Sequence, residues 1–284
     1  MMDPRCLDYC LTETEHLAFE RDGYFIVENA LDPDQIEKLI KLTDYLDNTH
    51  RVKKEIASSD RSLFMDFIGK DKAYIDLVDW YRTFPKVWGI LGWNIQLYHN
   101  HFVVTPCETG KNNGDRKFGW HQDSDRMNKE IETDPPPRIS FKIGYFLTDC
   151  SEPDRGNLYI IPGSHLRKDI YLPNNDRSAD LDEGIPVLVS PGSAVFFDRR
   201  LWHSSSANYW TQPRRTLFYG YGYRWIRPRD DITVDTYWDQ LNPIRKQLFG
   251  ASPTGNFGYT SPQEEDVPLR SWIRQHLGEE AVIT

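Results

Sequence analysis

From Asn94 onward the chain is a succession of short apolar runs separated by Gly/Pro turns, and few architectures accept that pattern. The runs Ile95–Val104, Ile139–Leu147, Leu158–Ile161, Val187–Val189, Ala194–Phe197 and Leu217–Tyr223 have strand length and strand composition. Between them lie turn clusters at residues 149–156, at Pro162-Gly163-Ser164-His165 and at Ser190-Pro191-Gly192-Ser193. Residues 109–115 are polar, contain Gly110 and Gly114, and read as a loop. Many short strands with such punctuation predict a mainly β fold with flanking helices, built on a double-stranded β-helix (a cupin-like jelly roll).

The first third of the chain supplies the helices. Tyr24–Val27 reads as a short strand. Asp32 then caps a helix, with Pro33 at the first helical position and Gln35 at the third. Ile36, Leu39, Leu42 and Leu46 continue at helical spacing. A second helical region covers Tyr74–Leu91, interrupted at Pro85, and a late helix covers Leu269–Leu277. The 284 residues are expected to form one domain, with helical support over about 31–92 and the jelly-roll core over about 94–225.

Net charge is −9, which argues against nucleic-acid binding and against docking on anionic membranes. No apolar run reaches membrane-spanning length, and the first residues lack a signal-peptide core. Cys6, Cys10, Cys107 and Cys150 show neither tight metal spacing nor a dense disulfide framework. A cytoplasmic protein, monomer or homodimer, with a small-molecule partner is the expectation.

Within the β-rich region, Trp120-His121-Gln122-Asp123 places an imidazole and a carboxylate two residues apart. Such a pair projects from one face of an extended segment. His203 follows a distant apolar strand. Two imidazoles and one carboxylate make a face for Fe(II) that leaves coordination positions open. The rival pair His99 and His101, on the strand 95–104, would supply a cupin-like His-x-His, but shares its face with Leu97 and Val103, which suits packing or hydrogen bonding.

The chain resembles the phytanoyl-CoA dioxygenase family of Fe(II)/2-oxoglutarate-dependent oxygenases. The resemblance rests on Arg21-Asp22-Gly23-Tyr24, on Trp120-His121-Gln122-Asp123, on the run from Gly156 to His165, and on His203 followed by Pro213-Arg214. It implies that His121, Asp123 and His203 are the iron ligands and that Arg214 grips the distal carboxylate of 2-oxoglutarate. An arginine suits that task because its planar fork meets a carboxylate with two parallel hydrogen bonds. On a strand Arg215 points the opposite way, and its expected place is the solvated surface. The likeness also implies that the 156–165 run is structural, so His165 is no ligand. Relatives that halogenate lack the metal carboxylate, so Asp123 disfavours halogenation.

Further cosubstrate contacts are expected at Tyr145, where relatives place an aromatic residue, and at Ser205, whose hydroxyl would help hold a carboxylate. Some relatives carry a cosubstrate-facing lysine where this chain has Thr105, which cannot supply that charge. Trp120 and Trp202 are expected in the core.

The implied reaction couples conversion of 2-oxoglutarate and O₂ into succinate and CO₂ to oxidation of an unactivated C–H bond. Hydroxylation is the default, with desaturation, cyclisation or oxidative demethylation open to the same machinery. Residues 109–116, 124–137 and 171–183 are polar and charged and are expected to border the mouth. They favour a small polar metabolite or natural-product intermediate over a long acyl chain. Arg126, Lys129, Arg138 and Arg224 are cations that surface solvation explains as well as substrate binding. Two other readings stay open from the residues: a different metalloenzyme on a similar barrel, which would not need Arg214, and a non-catalytic jelly-roll binding protein.

Overall fold

Strand order places the motifs. The computed structural model describes residues 2–108 and 116–283, so the loop expected over 109–115 lies outside the described residues. The strands are β1 (Tyr24–Val27), β2 (Ser62–Met65), β3 (Ile95–Thr105), β4 (Ser140–Phe146), β5 (Leu158–Ile160), β6 (Ile185–Pro186), β7 (Ala194–Asp198), β8 (His203–Ser205) and β9 (Arg214–Tyr223). They form a sheet in the order β1-β7-β4-β9-β3-β2 and a smaller one in the order β6-β5-β8. The antiparallel pairs between β1 and β7, β4 and β7, and β5 and β8 suit the expected jelly roll.

By contacts the chain divides into two compact units. One comprises residues 17–64 and 102–218. Its core is Val103, Phe146, Leu158, Ile160, Val195, Phe197, Leu201 and Phe218 with their neighbours. Register decides which side chains join it. Lys142 faces Phe197 across the β4–β7 ladder and Gly144 faces Val195, so these positions share the core side of β4 with Phe146. Phe141, Ile143 and Tyr145 occupy the other side, where Phe141 meets Phe19 of helix α1 (Glu13–Asp22) edge-on at 5.6 Å. Helix α2 (Pro33–Lys54) begins as expected: the Asp32 backbone N–H donates to Gln35 Oε1 at 3.0 Å.

The other unit comprises residues 1–16, 65–101 and 219–284. Here the Tyr219 and Tyr221 hydroxyls donate to the Tyr74 and Val78 carbonyls at 2.8 and 2.7 Å. The late helix, Pro268–Leu277, sets Trp272 against Trp88 with ring centroids 5.8 Å apart.

Two sequence expectations shift. Tyr74–Leu91 is not one interrupted helix but two, Lys72–Ile75 and Phe84–Leu91. Pro85 opens the second, where its missing N–H has no intrahelical partner to lose. The strand expected at Val187–Val189 is instead the pair Ile185–Pro186, followed by one isolated bridge from Val189 to Cys150. Among the described residues no helix is long and apolar enough to cross a membrane.

Candidate metal centre

One isolated antiparallel bridge brings the distant histidines side by side. The His121 N–H donates to the His203 carbonyl and the His203 N–H to the His121 carbonyl, each at 3.0 Å. Their rings lie 4.3 Å apart, centroid to centroid. The Asp123 N–H donates to the Arg199 carbonyl at 2.8 Å, which fixes the carboxylate two residues further on. Beneath this segment Gln122 donates to the Arg200 carbonyl, Asn128 donates to Gln122, and Arg199 donates to Asn128. The turn that carries the ligands is thus held by buried side chains rather than by a regular strand.

Each ring is oriented by its own Nδ1. That of His121 meets the Gly119 carbonyl at 2.7 Å, and that of His203 meets the Leu201 carbonyl at 2.8 Å. A carbonyl only accepts, so Nδ1 carries the proton and the Nε2 lone pair is left for a ligand. His203 Nε2 lies 4.0 Å from Asp123 Oδ2. One ligand atom from each of His121, Asp123 and His203 lies within 4.8 Å of the others. Among the described residues this is the group able to hold a metal ion. Burial, with His121 adding to it, pushes the His203 pKa down to about 3. Burial alone would raise Asp123, but Lys142 and His203 beside it hold the carboxyl well below its usual range. Neutral imidazoles and an ionised carboxylate are the forms a metal needs.

Lys142 is the residue that sequence reasoning missed. Its Nζ lies 2.8 Å from Asp123 Oδ2 and 5.9 Å from the centre of the Phe218 ring. The available signal was a lone charge in an otherwise apolar strand.

Arg214 opens β9 on the face shared with Thr216 and the core residue Phe218. It is 3% exposed, donates to the Gly156 carbonyl at 2.8 Å, and its Nε has no hydrogen-bond partner in the protein. Burial pushes its pKa down to about 10, with Cys150 opposing and Arg61 reinforcing the effect. The Thr216 and Thr105 hydroxyls are buried and likewise without a protein partner. Thr105 follows Val103 on the core face of β3, and Ser205 follows His203 on one face of β8. A buried cation with a spare donor, among spare hydroxyls, fits an anionic ligand.

Tyr145 is fully buried and by alternation lies on the opposite face of β4 from Lys142, with Phe141 and Ile143. Arg215, expected at the solvated surface, is paired with Asp44 of α2 through Nε at 2.6 Å and Nη2 at 3.0 Å. His99 and His101 stack at 4.4 Å, and His99 bonds Asp230. Trp120 and Trp202 pack with Phe118, Tyr159 and Ile161. His165 bonds the Glu20 carbonyl and rests on Gly23, where an added Cβ would sit 2.6 Å from its Nδ1. Two of the segments that carried the resemblance, residues 21–24 and 156–165, therefore meet each other.

The profile of the phytanoyl-CoA dioxygenase family matches residues 19–216. The chain belongs to the phytanoyl-CoA dioxygenase family. It is an Fe(II)/2-oxoglutarate-dependent oxygenase. The ectoine dioxygenase of Stutzerimonas stutzeri is 28% identical over 235 residues, covering 72% of this chain and 74% of its own. A methylphosphonate hydroxylase of Gimesia maris is 39% identical over a shorter stretch of 77 residues, 26% of this chain and 30% of its own. Among solved structures, EctD from S. alaskensis with bound Fe superposes with a TM-score of 0.60 at 21% identity, covering 79% of this chain and 81% of its own. HygX from Streptomyces hygroscopicus, with nickel and 2-oxoglutarate bound, gives 0.60 at 14% identity, covering 77% and 90%. These superpositions agree with the jelly-roll fold.

Proposed function

We propose that this oxygenase hydroxylates a C–H bond of a small polar metabolite, with His121, Asp123 and His203 holding Fe(II) and Arg214 gripping 2-oxoglutarate. The observation that carries this reading is the convergence of the three ligand atoms within 4.8 Å, from segments far apart in sequence. When bound, the iron and the keto acid would activate O₂, the oxidant, with the keto acid supplying two of the electrons, chemistry that protein side chains lack.

The chain's own residues would do the positioning. Gly119 and Leu201 orient the two imidazoles through their Nδ1 protons. Gln122, Asn128 and Arg199 stiffen the turn that carries Asp123. Arg214, braced on the Gly156 carbonyl, would take the C5 carboxylate, with Thr105, Thr216 and Ser205 offering hydroxyls on core-facing positions. Relatives named for ectoine and methylphosphonate support a small polar substrate over a long acyl chain.

Anaerobic addition of Fe(II) and 2-oxoglutarate to the purified protein is expected to give a weak visible charge-transfer band. A metabolite panel scored for substrate-dependent succinate, with product masses, then separates a gain of one oxygen from a loss of two hydrogens. Absence of both the band and metal binding would instead support an inert jelly-roll protein.

A further inference from the structure

A second guanidinium, that of Arg61, shares the surroundings of Arg214, and no acid answers either of them. Arg61 immediately precedes β2, the strand that joins β3 at the edge of the larger sheet. Phe64 of β2 stacks flat on Phe102 of β3, with ring centroids 4.9 Å apart, so these two share one face. Three residues earlier, Arg61 falls on the opposite face by alternation. That face carries Val103 and Thr105 on β3 and Arg214 and Thr216 on β9. The residue is exposed, yet the protein around its guanidinium holds the pKa below the usual arginine range. Its charge lies close enough to Arg214 to reinforce the lowering there.

The backbone that delivers Arg61 is braced. Arg51, near the end of α2, is held by Asp47 at 2.7 Å and donates through Nη1 to the Ala57 and Asp60 carbonyls at 2.7 and 2.9 Å. The Asp60 carbonyl belongs to the peptide that joins it to Arg61. The Asp60 carboxylate itself accepts from the Ser59 hydroxyl at 3.2 Å. Arg215, next to Arg214 in sequence, is on the other face and paired with Asp44. Among the described residues, no carboxylate offsets the charge of Arg61 or of Arg214. Two like charges on one face oppose each other, and an anion received between them turns that cost into attraction.

We infer, resting on the proposed reading of Arg214, that Arg61 is a second cosubstrate-binding residue, a cation on the solvent side of the pocket that helps Arg214 hold the distal carboxylate of 2-oxoglutarate. The two arginines divide the task. Arg214, buried and braced on the Gly156 carbonyl, sets the direction of the carboxylate. Arg61, exposed on a braced turn, adds charge from the rim. The Thr105 and Thr216 hydroxyls between these strands are neutral and supply hydrogen bonds only.

The test uses full-length protein loaded anaerobically with Fe(II) and reads 2-oxoglutarate affinity from the charge-transfer band, at low and at high salt, with no turnover required. Arg61→Gln is expected to weaken 2-oxoglutarate by about fivefold at low salt, the scale of a partly exposed ion pair. The gap to wild type should close as salt rises, because an exposed charge is screened. Arg61→Lys, which keeps the charge, should stay close to wild type. Calorimetry of the metal-free and cosubstrate-free protein should show Arg61→Gln melting no lower than wild type, since the change relieves repulsion. Equal affinity of wild type and Arg61→Gln at low salt would overturn the inference. So would a lysine variant as weak as the glutamine one, a loss that salt leaves untouched, or a lower melting temperature, which would make Arg61 structural. Arg214→Met, titrated alongside, separates the two levels. If it loses the cosubstrate while Arg61→Gln does not, this inference alone has failed. If it binds 2-oxoglutarate like wild type, or wild type shows no band, the underlying reading has failed and this inference with it.

Discussion

Arg214→Met should separate function from stability. The guanidinium is almost fully buried, and burial pushes its pKa down to about 10. That shift corresponds to on the order of 3 kcal/mol held against the charged form in the cosubstrate-free protein. Against it stands one charged hydrogen bond to Gly156, worth roughly 1.5–3 kcal/mol. The two nearly cancel, and methionine fills similar apolar length, so the metal-free variant should melt close to the wild type. The cosubstrate is different. Two charge-assisted bonds from a fork to a carboxylate are worth about 3 kcal/mol at least, a loss of roughly a hundredfold or more in 2-oxoglutarate affinity. Anaerobic titration of the charge-transfer band measures that affinity, and calorimetry of the metal-free protein measures the melting temperature. A variant that binds 2-oxoglutarate like the wild type but loses several kcal/mol of stability would make Arg214 a structural ion and refute the reasoning.

Three further outcomes follow from the geometry. His203→Ala should lose Fe(II) binding by direct metal titration and substrate-dependent succinate formation with it, because two remaining ligands no longer define a face. Gly23→Ala should destabilise the protein by about 2–4 kcal/mol in denaturant unfolding, since φ is +83° and the new Cβ would lie 2.6 Å from His165 Nδ1. Burial lowers the His165 pKa, so the unfolded chain takes up a proton more readily than the folded one. Its contribution to stability should therefore be intact above about pH 6.5 and fall as pH drops below that; melting temperature against pH should show the decline, and His165→Gln should flatten it.

Much of the site could be read before the fold was known. Alternation put Arg214 and Arg215 on opposite faces, and the fold bears this out: one is buried on the core face and the other is paired with Asp44. Gly23, Gly156 and Gly163 all have positive φ, so the glycines of the recognised segments record backbone geometry. The Asp32-Pro33-x-Gln35 helix start is likewise a local signal satisfied locally.

What the residues determined unaided was periodicity: where strands begin and turn, which side chains share a face, and which residue types have ligand chemistry. Which face looks inward was decided by tertiary structure. In β4 every position is buried, so apolar patterning gives no mark of inside or outside. Only the β4–β7 register set Lys142 on the side of Phe146, against Asp123, and Tyr145 on the opposite and equally buried side. Likewise, spacing named His121, Asp123 and His203 as candidates, but only the paired backbone hydrogen bonds between residues 121 and 203, closing a long stretch of chain, put their ligand atoms within reach of one ion.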